Sequence, residues 1–371
     1  MKKTYKALLC GAAAVAAVGI AYAMDERFFE KAKDKLTVFK CRANSNIMEQ
    51  ALPLTDAMFP GPKVVSGADS AKKIPEVLKE LNVNKVMIVT GPTVGRTIVP
   101  PIAENLERHG IGYTIYDQVE ANPSVKTVEA IRAQYLENGC DGFLAIGGGS
   151  PMDAAKAAAA RVAKPNTPIG KMAGLMKVMI KVAPIVAVPT TSGTGSEVTM
   201  GAVISDHDER HKYAIMDPNL VPKYAVLDPK LTVSMPKFVT ATTGIDALTH
   251  AVESYVTWAY NNNASNRNAE EAVVKIFRNL KRAYEDGNDL EAREAMLIAS
   301  YKAGLAFNHT GVGYVHAIAH AMGGIYNTAH GLANAVIMPI VLEDYGTAVH
   351  PQLAHLAEIT GVKTTGSDAE K

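Results

Sequence analysis

Residues 140–163 read CDGFLAIGGGSPMDAAKAAAARVA, and they join an apolar strand to a helix through three consecutive glycines. Gly147–Gly149 allow a ligand to approach the backbone closely, and the helix that follows presents free N–H groups to an anion. Ser150 offers a hydroxyl to a phosphate oxygen, and Asp153 lies in the first helical turn. The stretch therefore predicts a βα unit with a phosphate site at its turn. A tight turn without a ligand is the alternative, because the stretch is neither a GxGxxG fingerprint nor a Walker A motif.

Strands and helices alternate on both sides of this unit. Short apolar runs separated by amphipathic helices of ten or more residues indicate βαβ units and a parallel sheet, whose ligands lie at the carboxyl ends of the strands. After about residue 234 the strand signals stop and every segment has the periodicity of a helix. The sequence thus predicts an α/β domain over residues 52–233, which is Rossmann-like and binds a dinucleotide, and an all-α domain over residues 234–371. The predicted strands are KVVSG (63–67), KVMIVTG (85–91), GYTIYDQV (112–119) and APIVAVPTT (183–191).

A second loop, VPTTSGTGSEVT (188–199), follows the next strand and is rich in hydroxyl groups. Many hydrogen-bond donors thus gather at a second strand end, which favours a phosphate-bearing nucleotide over an unoccupied turn. A flexible surface loop of the same composition is the alternative. The hydroxyl side chains are those of Thr190, Thr191, Ser192, Thr194 and Ser196.

Histidines and one aspartate recur at helical spacing in the C-terminal half. TGIDALTHAVESY places Asp246 and His250 four residues apart, so both side chains project from one helix face. GYVHAIAHAMGGIYNTAHG repeats that spacing with His316 and His320, and His330 follows. A carboxylate with neutral imidazoles suits a divalent first-row metal such as Fe, Zn, Mn or Co. Each residue alone is more simply a core, surface or capping side chain, but buried polar groups need partners, which favours a joint metal site.

Composition and the N-terminus narrow the class of protein. A hydrophobic content of 48%, a charged content of 20% and a net charge of +1 are typical of a globular protein and give no indication of a nucleic-acid partner. Three distant cysteines favour neither a disulfide framework nor a thiolate metal site. Residues 1–23 have the basic start, the apolar stretch and the Ala-Tyr-Ala end of a signal peptide. A membrane span is the weaker interpretation, a start at Met24 is a third, and residues 24–51 are an extension.

The motifs AIGGGSPMDAAKA, VPTTSGTGSEVT, TGIDALTHAVESY and VHAIAHAMGGIYNTAHGLANA, in this order, resemble those of the iron-dependent alcohol dehydrogenases. The resemblance runs from about residue 52 to the C-terminus. It implies a Rossmann-like domain followed by a helical metal-binding domain, an architecture shared with dehydroquinate synthase. It also implies hydride transfer between NAD(P) and a small primary alcohol, diol or aldehyde. Fe²⁺ is the implied metal, with Zn²⁺ as the alternative. A homodimer or larger homo-oligomer and a cytoplasmic location are implied as well, although the signal-like N-terminus indicates export.

Site residues carry over from the family by motif. The implied metal ligands are Asp246, His250, His316 and His330, and His320 lies near the metal as the catalytic proton relay. The implied cofactor contacts fall on the two polar loops and on two further positions. These contacts are Gly148, Gly149, Ser150, Asp153, Thr190, Thr191, Thr194, Ser196, Lys212 and Leu231.

Two departures from the family pattern affect the expected activity. NAD-preferring members carry an acidic residue just after the strand that here ends KVMIVTG, whereas this chain has Gly91. Without that carboxylate a 2′-phosphate is not repelled, so NADP use is expected beside NAD. In addition, 41 residues follow His330, fewer than the family's helical domain implies. A truncated, non-catalytic metal- or nucleotide-binding remnant is therefore one alternative function. A dehydroquinate synthase-like lyase is another, less favoured because few basic residues accompany the metal motifs.

Overall fold

The computed structural model describes residues 61–206, 211–257, 261–326, 328–362 and 364–371. The signal-like segment 1–23, the extension 24–51 and the first nine residues of the predicted α/β domain lie outside this range. The N-terminal predictions are therefore not tested by the structure.

A six-stranded parallel sheet forms the centre of the first part of the chain, as the alternating pattern predicts. Its strand order is β1-β9-β6-β4-β2-β3, and every pairing in it is parallel. The strand that enters the glycine turn, β4, lies between β6 and β2, and all of its residues are buried. The strands are β1 (Lys63–Ser66), β2 (Lys85–Val89), β3 (Gly112–Tyr116), β4 (Gly142–Gly147), β6 (Ile185–Pro189) and β9 (Tyr224–Leu227).

Helices cover both faces of this sheet, and the alternation of side chains along β4 shows how. Phe143 and Ala145 belong to one apolar cluster with α4 and α5, whereas Leu144 and Ile146 belong to another with α1 and α3. Each strand residue therefore contributes to the core on one side only, as the period of two requires. The helices are α1 (Ile74–Glu80), α2 (Pro92–Thr97), α3 (Val99–Arg108), α4 (Val125–Glu137) and α5 (Gly149–Ala163).

A second, three-stranded sheet has no counterpart in the sequence prediction. It consists of β5 (Gly174–Leu175), β7 (Gly201–Asp206) and β8 (His211–Met216), with β7 antiparallel to β8 and β5 parallel to it. The sheet places Lys212, a predicted cofactor contact, on β8.

The second part of the described chain is helical, as predicted. Its central helix, α6, packs against α7, α8 and α10 around a core rich in alanine. The last strand of the large sheet ends at Leu227 and α6 begins at Lys237, while the boundary at residue 234 itself stays a prediction. The helices are α6 (Lys237–Val256), α7 (Asn263–Glu285), α8 (Leu290–Thr310), α9 (Tyr314–Tyr326), α10 (His330–Tyr345) and α11 (His350–Thr360).

No single helix within the described ranges is both long and apolar enough to cross a membrane. The segments 330–348 and 350–360 meet the length and composition criteria only together, across a bend of 120°.

Candidate metal and cofactor site

Three of the predicted metal ligands converge in the interior of the helical part. Asp246 and His250 lie one turn apart on α6, and His316 faces them from the third position of α9. One donor atom from each lies within 4.8 Å of the other two, and all three side chains are buried. The ring of His250 is stacked between those of Phe307 and His316, at centroid distances of 4.2 and 4.3 Å. This stacking fixes the plane of the imidazole.

His330, the first residue of α10, approaches the same carboxylate from the more exposed side. Its Nε2 lies 3.3 Å from Oδ1 of Asp246, and Nε2 of His316 lies 3.6 Å from that oxygen. Asn334, one turn further along α10 and fully buried, donates a hydrogen bond of 2.8 Å from Nδ2 to the same oxygen. The sequence prediction missed Asn334, although its spacing of four residues from His330 would have indicated a shared face.

The electrostatics of this cluster fit a divalent cation. Burial alone would raise the pKa of Asp246, but His250 and His330 outweigh it and hold the pKa well below the usual range. Burial, with His316 nearby, lowers the pKa of His250 to about 3. Burial opposes protonation of His316 too, yet hydrogen bonds to Asp246 and Glu253 raise its pKa to about 9. An ionised carboxylate, a neutral imidazole and a position that attracts positive charge are what a metal ion requires.

His320 lies beside the ligands rather than among the three converging donors. Its ring centroid is 4.8 Å from that of His330 and 6.2 Å from that of His316. Burial, together with the neighbouring His330, lowers the pKa of His320 to about 3, so the ring is neutral at physiological pH. His330 also lies outside the group of three converging donors, so the assignment of His330 as a ligand and of His320 as its neighbour stays a prediction.

The two predicted cofactor loops meet at the carboxyl end of the large sheet. A Cβ on Gly148 would lie 3.2 Å from Oγ1 of Thr191, and one on Gly149 would lie 2.9 Å from Cγ2 of Thr194. Glycine is therefore required here for the loops to approach each other. The backbone N–H of Thr190 donates to the carbonyl of Gly147 at 2.8 Å, which ties the loops together at their start.

Asp153 and Ser196, both predicted cofactor contacts, are bonded to each other in the interior. Oγ of Ser196 donates to Asp153 at 2.8 Å, and the carboxylate also accepts from the N–H of Val203 at 3.0 Å. The fully buried Lys156 donates to the carbonyls of Ser196, Thr199 and Gly201 at 2.6, 2.9 and 2.9 Å. This network holds the hydroxyl-rich loop against α5. Lys156 is absent from the predicted site, although a lone lysine in an alanine-rich helix is an unusual core residue.

The remaining predicted cofactor residues lie on α5, on β8 and on a short 3₁₀ helix. Oγ of Ser150 accepts from the N–H of Asn122 at 3.2 Å. Nζ of Lys212 lies 3.6 Å from the space where a Cβ on Gly323 of α9 would stand, so it reaches the helix that carries His316. Leu231 packs on the apolar cluster of α1 and α3 from a short 3₁₀ helix. Gly91 caps α2 directly after β2, at the same end of the sheet as the glycine turn.

The hydroxyl-rich loop is in direct contact with α6, the helix that carries Asp246 and His250. A Cβ on Gly193 would lie 2.7 Å from Cβ of Thr243, which is three residues before Asp246 on α6. A ligand held by the hydroxyl-rich loop therefore lies next to the helix that supplies two of the metal donors. This arrangement brings the candidate cation site next to the candidate anion site.

Comparisons with known proteins agree with this geometry. The family model for iron-containing alcohol dehydrogenases matches residues 61–229, and the model for the C-terminal domain of that family matches residues 240–371. NAD-dependent methanol dehydrogenase of Bacillus methanolicus is 36% identical over 84% of this chain and 82% of that protein. Lactaldehyde reductase of Escherichia coli K12 is 33% identical over 82% and 80%. A crystal structure of 1,3-propanediol oxidoreductase superimposes with a TM-score of 0.81 at 35% identity, covering 84% and 82%. The chain belongs to the iron-containing alcohol dehydrogenase family.

Proposed function

We propose that the protein transfers a hydride between NAD(P) and a small primary alcohol, diol or aldehyde in an Fe²⁺-dependent reaction. The observation that carries the proposal is the contact between Gly193 and Thr243, which joins the hydroxyl-rich loop to the helix that carries Asp246 and His250. The named activities of two relatives, methanol dehydrogenase and lactaldehyde reductase, support a small oxygenated substrate.

The metal would be held by Asp246, His250, His316 and His330, in keeping with the carboxylate and imidazole donors that first-row metals accept. When bound, Fe²⁺ supplies Lewis acidity toward the substrate oxygen. The protein supplies orientation. Stacking fixes the ring of His250, and Asn334 holds the Asp246 carboxylate through its 2.8 Å hydrogen bond.

The cofactor would be held at its phosphates by the two loops. Free N–H groups at the start of α5 face the anion, and the hydroxyl groups of Thr190, Thr191 and Thr194 lie on the opposing loop. Lys156 fixes that loop from beneath. The positions assigned to Gly148, Gly149, Ser150, Asp153, Ser196, Lys212 and Leu231 stay predictions. NAD is the proposed cofactor, with NADP accepted because Gly91 leaves the ribose site without a carboxylate.

His320 is proposed to take up the alcohol proton on its imidazole during oxidation and to return it during reduction. The proposal rests on its place next to His330, at a distance of 4.8 Å between the ring centroids. A His320→Asn variant is expected to keep metal binding and to lose turnover.

A homodimer or larger oligomer is proposed from the family resemblance alone, and light scattering on the purified protein measures it. The cytoplasmic location also stays a prediction.

The direct experiment loads the purified protein with Fe²⁺ under anaerobic conditions and adds a short-chain alcohol or diol with NAD⁺ or NADP⁺. Absorbance of the reduced nicotinamide should appear, and it should vanish in Asp246→Ala and His330→Ala. His355→Gln is the matched control, because that histidine pairs with Glu270 at 3.2 Å outside the metal cluster. Bound metal without reduction of either cofactor would refute the proposed function.

A further inference from the structure

Glu253 is a buried carboxylate that belongs to no predicted site. It lies on α6, three residues after His250, and only 1% of its surface is exposed. Oε2 accepts from Nδ1 of His316 at 2.5 Å and from the N–H of Gly313 at 2.9 Å, and Oε1 accepts from the N–H of Val315 at 2.7 Å. Three donors from one short segment therefore converge on one side chain.

The first of these contacts decides the chemistry of the His316 ring. Because a carboxylate only accepts, Nδ1 of His316 must carry the proton, and in the neutral ring Nε2 is then left with its lone pair. Nε2 is the atom that faces Asp246, at 3.6 Å. A metal ligand needs that tautomer, and a carboxylate behind the ring makes the imidazole more basic.

The other two contacts decide where His316 lies. The N–H groups of Gly313 and Val315 belong to the start of α9, where helix N–H groups have no partner within the helix. Glu253 therefore fixes the N-terminal end of α9 against α6, and it also fixes the His316 ring that α9 carries. Gly313 makes this possible, because a Cβ there would lie 2.7 Å from Oε1 of Glu253.

We propose that Glu253 is a positioning residue that holds His316 in the tautomer and orientation of a metal ligand. The inference rests on the proposed metal site and extends it to a residue that touches neither metal nor substrate. A helix cap of purely structural value would stabilise the fold and leave the affinity of the folded protein for metal unchanged.

The test measures Zn²⁺ and Co²⁺ affinity by competition with a chelator, the visible absorption of bound Co²⁺, and thermal unfolding of the metal-free protein. Glu253→Gln is expected to weaken both metals by about 10- to 100-fold and to alter the Co²⁺ spectrum. Gly313→Ala, which keeps every polar side chain but blocks the approach of Glu253, should act in the same direction. Asp289→Ala is the control, because Asp289 caps α8 through the N–H of Ala292 and lies outside the metal cluster. It should lower the unfolding temperature only.

Wild-type metal affinity and an unchanged Co²⁺ spectrum in Glu253→Gln, with a lower unfolding temperature, would overturn the inference. If Glu253→Gln does not fold, wild-type metal affinity and an unchanged Co²⁺ spectrum in Gly313→Ala would overturn the inference instead. The Asp246→Ala variant distinguishes a failure of the role proposed for Glu253 from a failure of the proposed metal site. Loss of metal in Asp246→Ala without loss in Glu253→Gln refutes the role of Glu253 and keeps the metal site. Absence of metal binding in the wild type refutes both.

Discussion

Gly331, the second residue of α10, should not tolerate even a methyl group. An ideal Cβ at this position would lie 1.9 Å from the carbonyl oxygen of Thr242 on α6, a distance that real Cβ atoms do not adopt. The backbones of α6 and α10 are thus in direct contact, one residue after His330 and four before Asp246. Gly331→Ala is the smallest perturbation of that contact.

The expected cost follows from two opposing terms. In a helix interior, alanine is ordinarily favoured over glycine by about 0.5–1 kcal/mol because it restricts the unfolded chain. Here the two backbones would have to separate by about 1 Å, and overpacking of this kind costs about 1–3 kcal/mol. The substitution should therefore destabilise the protein, in contrast to its usual effect. His330 would move with α10, whereas metal–ligand distances tolerate only about 0.2 Å, so metal affinity should fall by about tenfold or more.

Urea unfolding of the metal-free protein gives the free-energy difference, and chelator competition gives the Zn²⁺ affinity. Gly201→Ala is the matched control, because no heavy atom lies within 4 Å of its Cβ position. The reasoning is refuted if Gly331→Ala is as stable as the wild type and binds Zn²⁺ equally well. A loss of stability with unchanged affinity would refute only the link to His330.

Three further substitutions test other parts of the structure. Burial raises the pKa of Glu197 to about 7, so the stability this carboxyl contributes is present below its ordinary pKa and is lost as pH rises through 7. As pH rises from 4.5 to 8, the free energy of unfolding of Glu197→Gln should therefore increase relative to that of the wild type by up to about 3 kcal/mol. A constant difference between the two unfolding temperatures across that pH range would contradict this prediction. Lys156→Met should destabilise the fold by about 3–5 kcal/mol and raise KM for NAD more than it lowers kcat, as thermal unfolding and initial rates will show. Gly91→Asp should reduce kcat/KM with NADP⁺ by at least about tenfold relative to NAD⁺, and an unchanged ratio would exclude Gly91 from cofactor choice.

Strands β2, β4 and β6 of the central sheet were predictable because they are almost entirely buried, and strands buried on both faces appear as continuous apolar runs. The pairing order was not, because β1 and β9 meet across about 160 intervening residues and nothing local specifies this partnership. The smaller sheet was not predicted, for a different reason. Its two longer strands, β7 and β8, include polar residues such as Ser205 and Lys212, so they lack the apolar run that marks the buried central strands.

The metal ligands were predictable as candidates because a spacing of four residues places Asp246 and His250 on one helix face. That spacing could not separate His316 from His320, which share a face of α9 in the same way. In the structure, Nδ1 of His316 donates to Glu253 and its ring joins Asp246 and His250 in the three-donor group, whereas His320, like His330, lies outside that group. Likewise, the sequence indicated Asp153 as a ligand contact, whereas its bonds to Ser196 and Val203 depend on the packing of a distant loop.

These contacts converge on a single helix. Within four turns, α6 supplies two candidate metal donors, the Glu253 carboxylate, and the backbone surfaces that Gly193 and Gly331 contact. The glycine contacts are so close that neither neighbour can shift without moving α6, and close-packed interiors transmit such shifts. The cofactor loop and the two later histidine segments are therefore positioned against the same rigid element. The candidate ligands from three separate stretches of sequence reach one point because α10 packs against α6 and α9 packs against both of these helices.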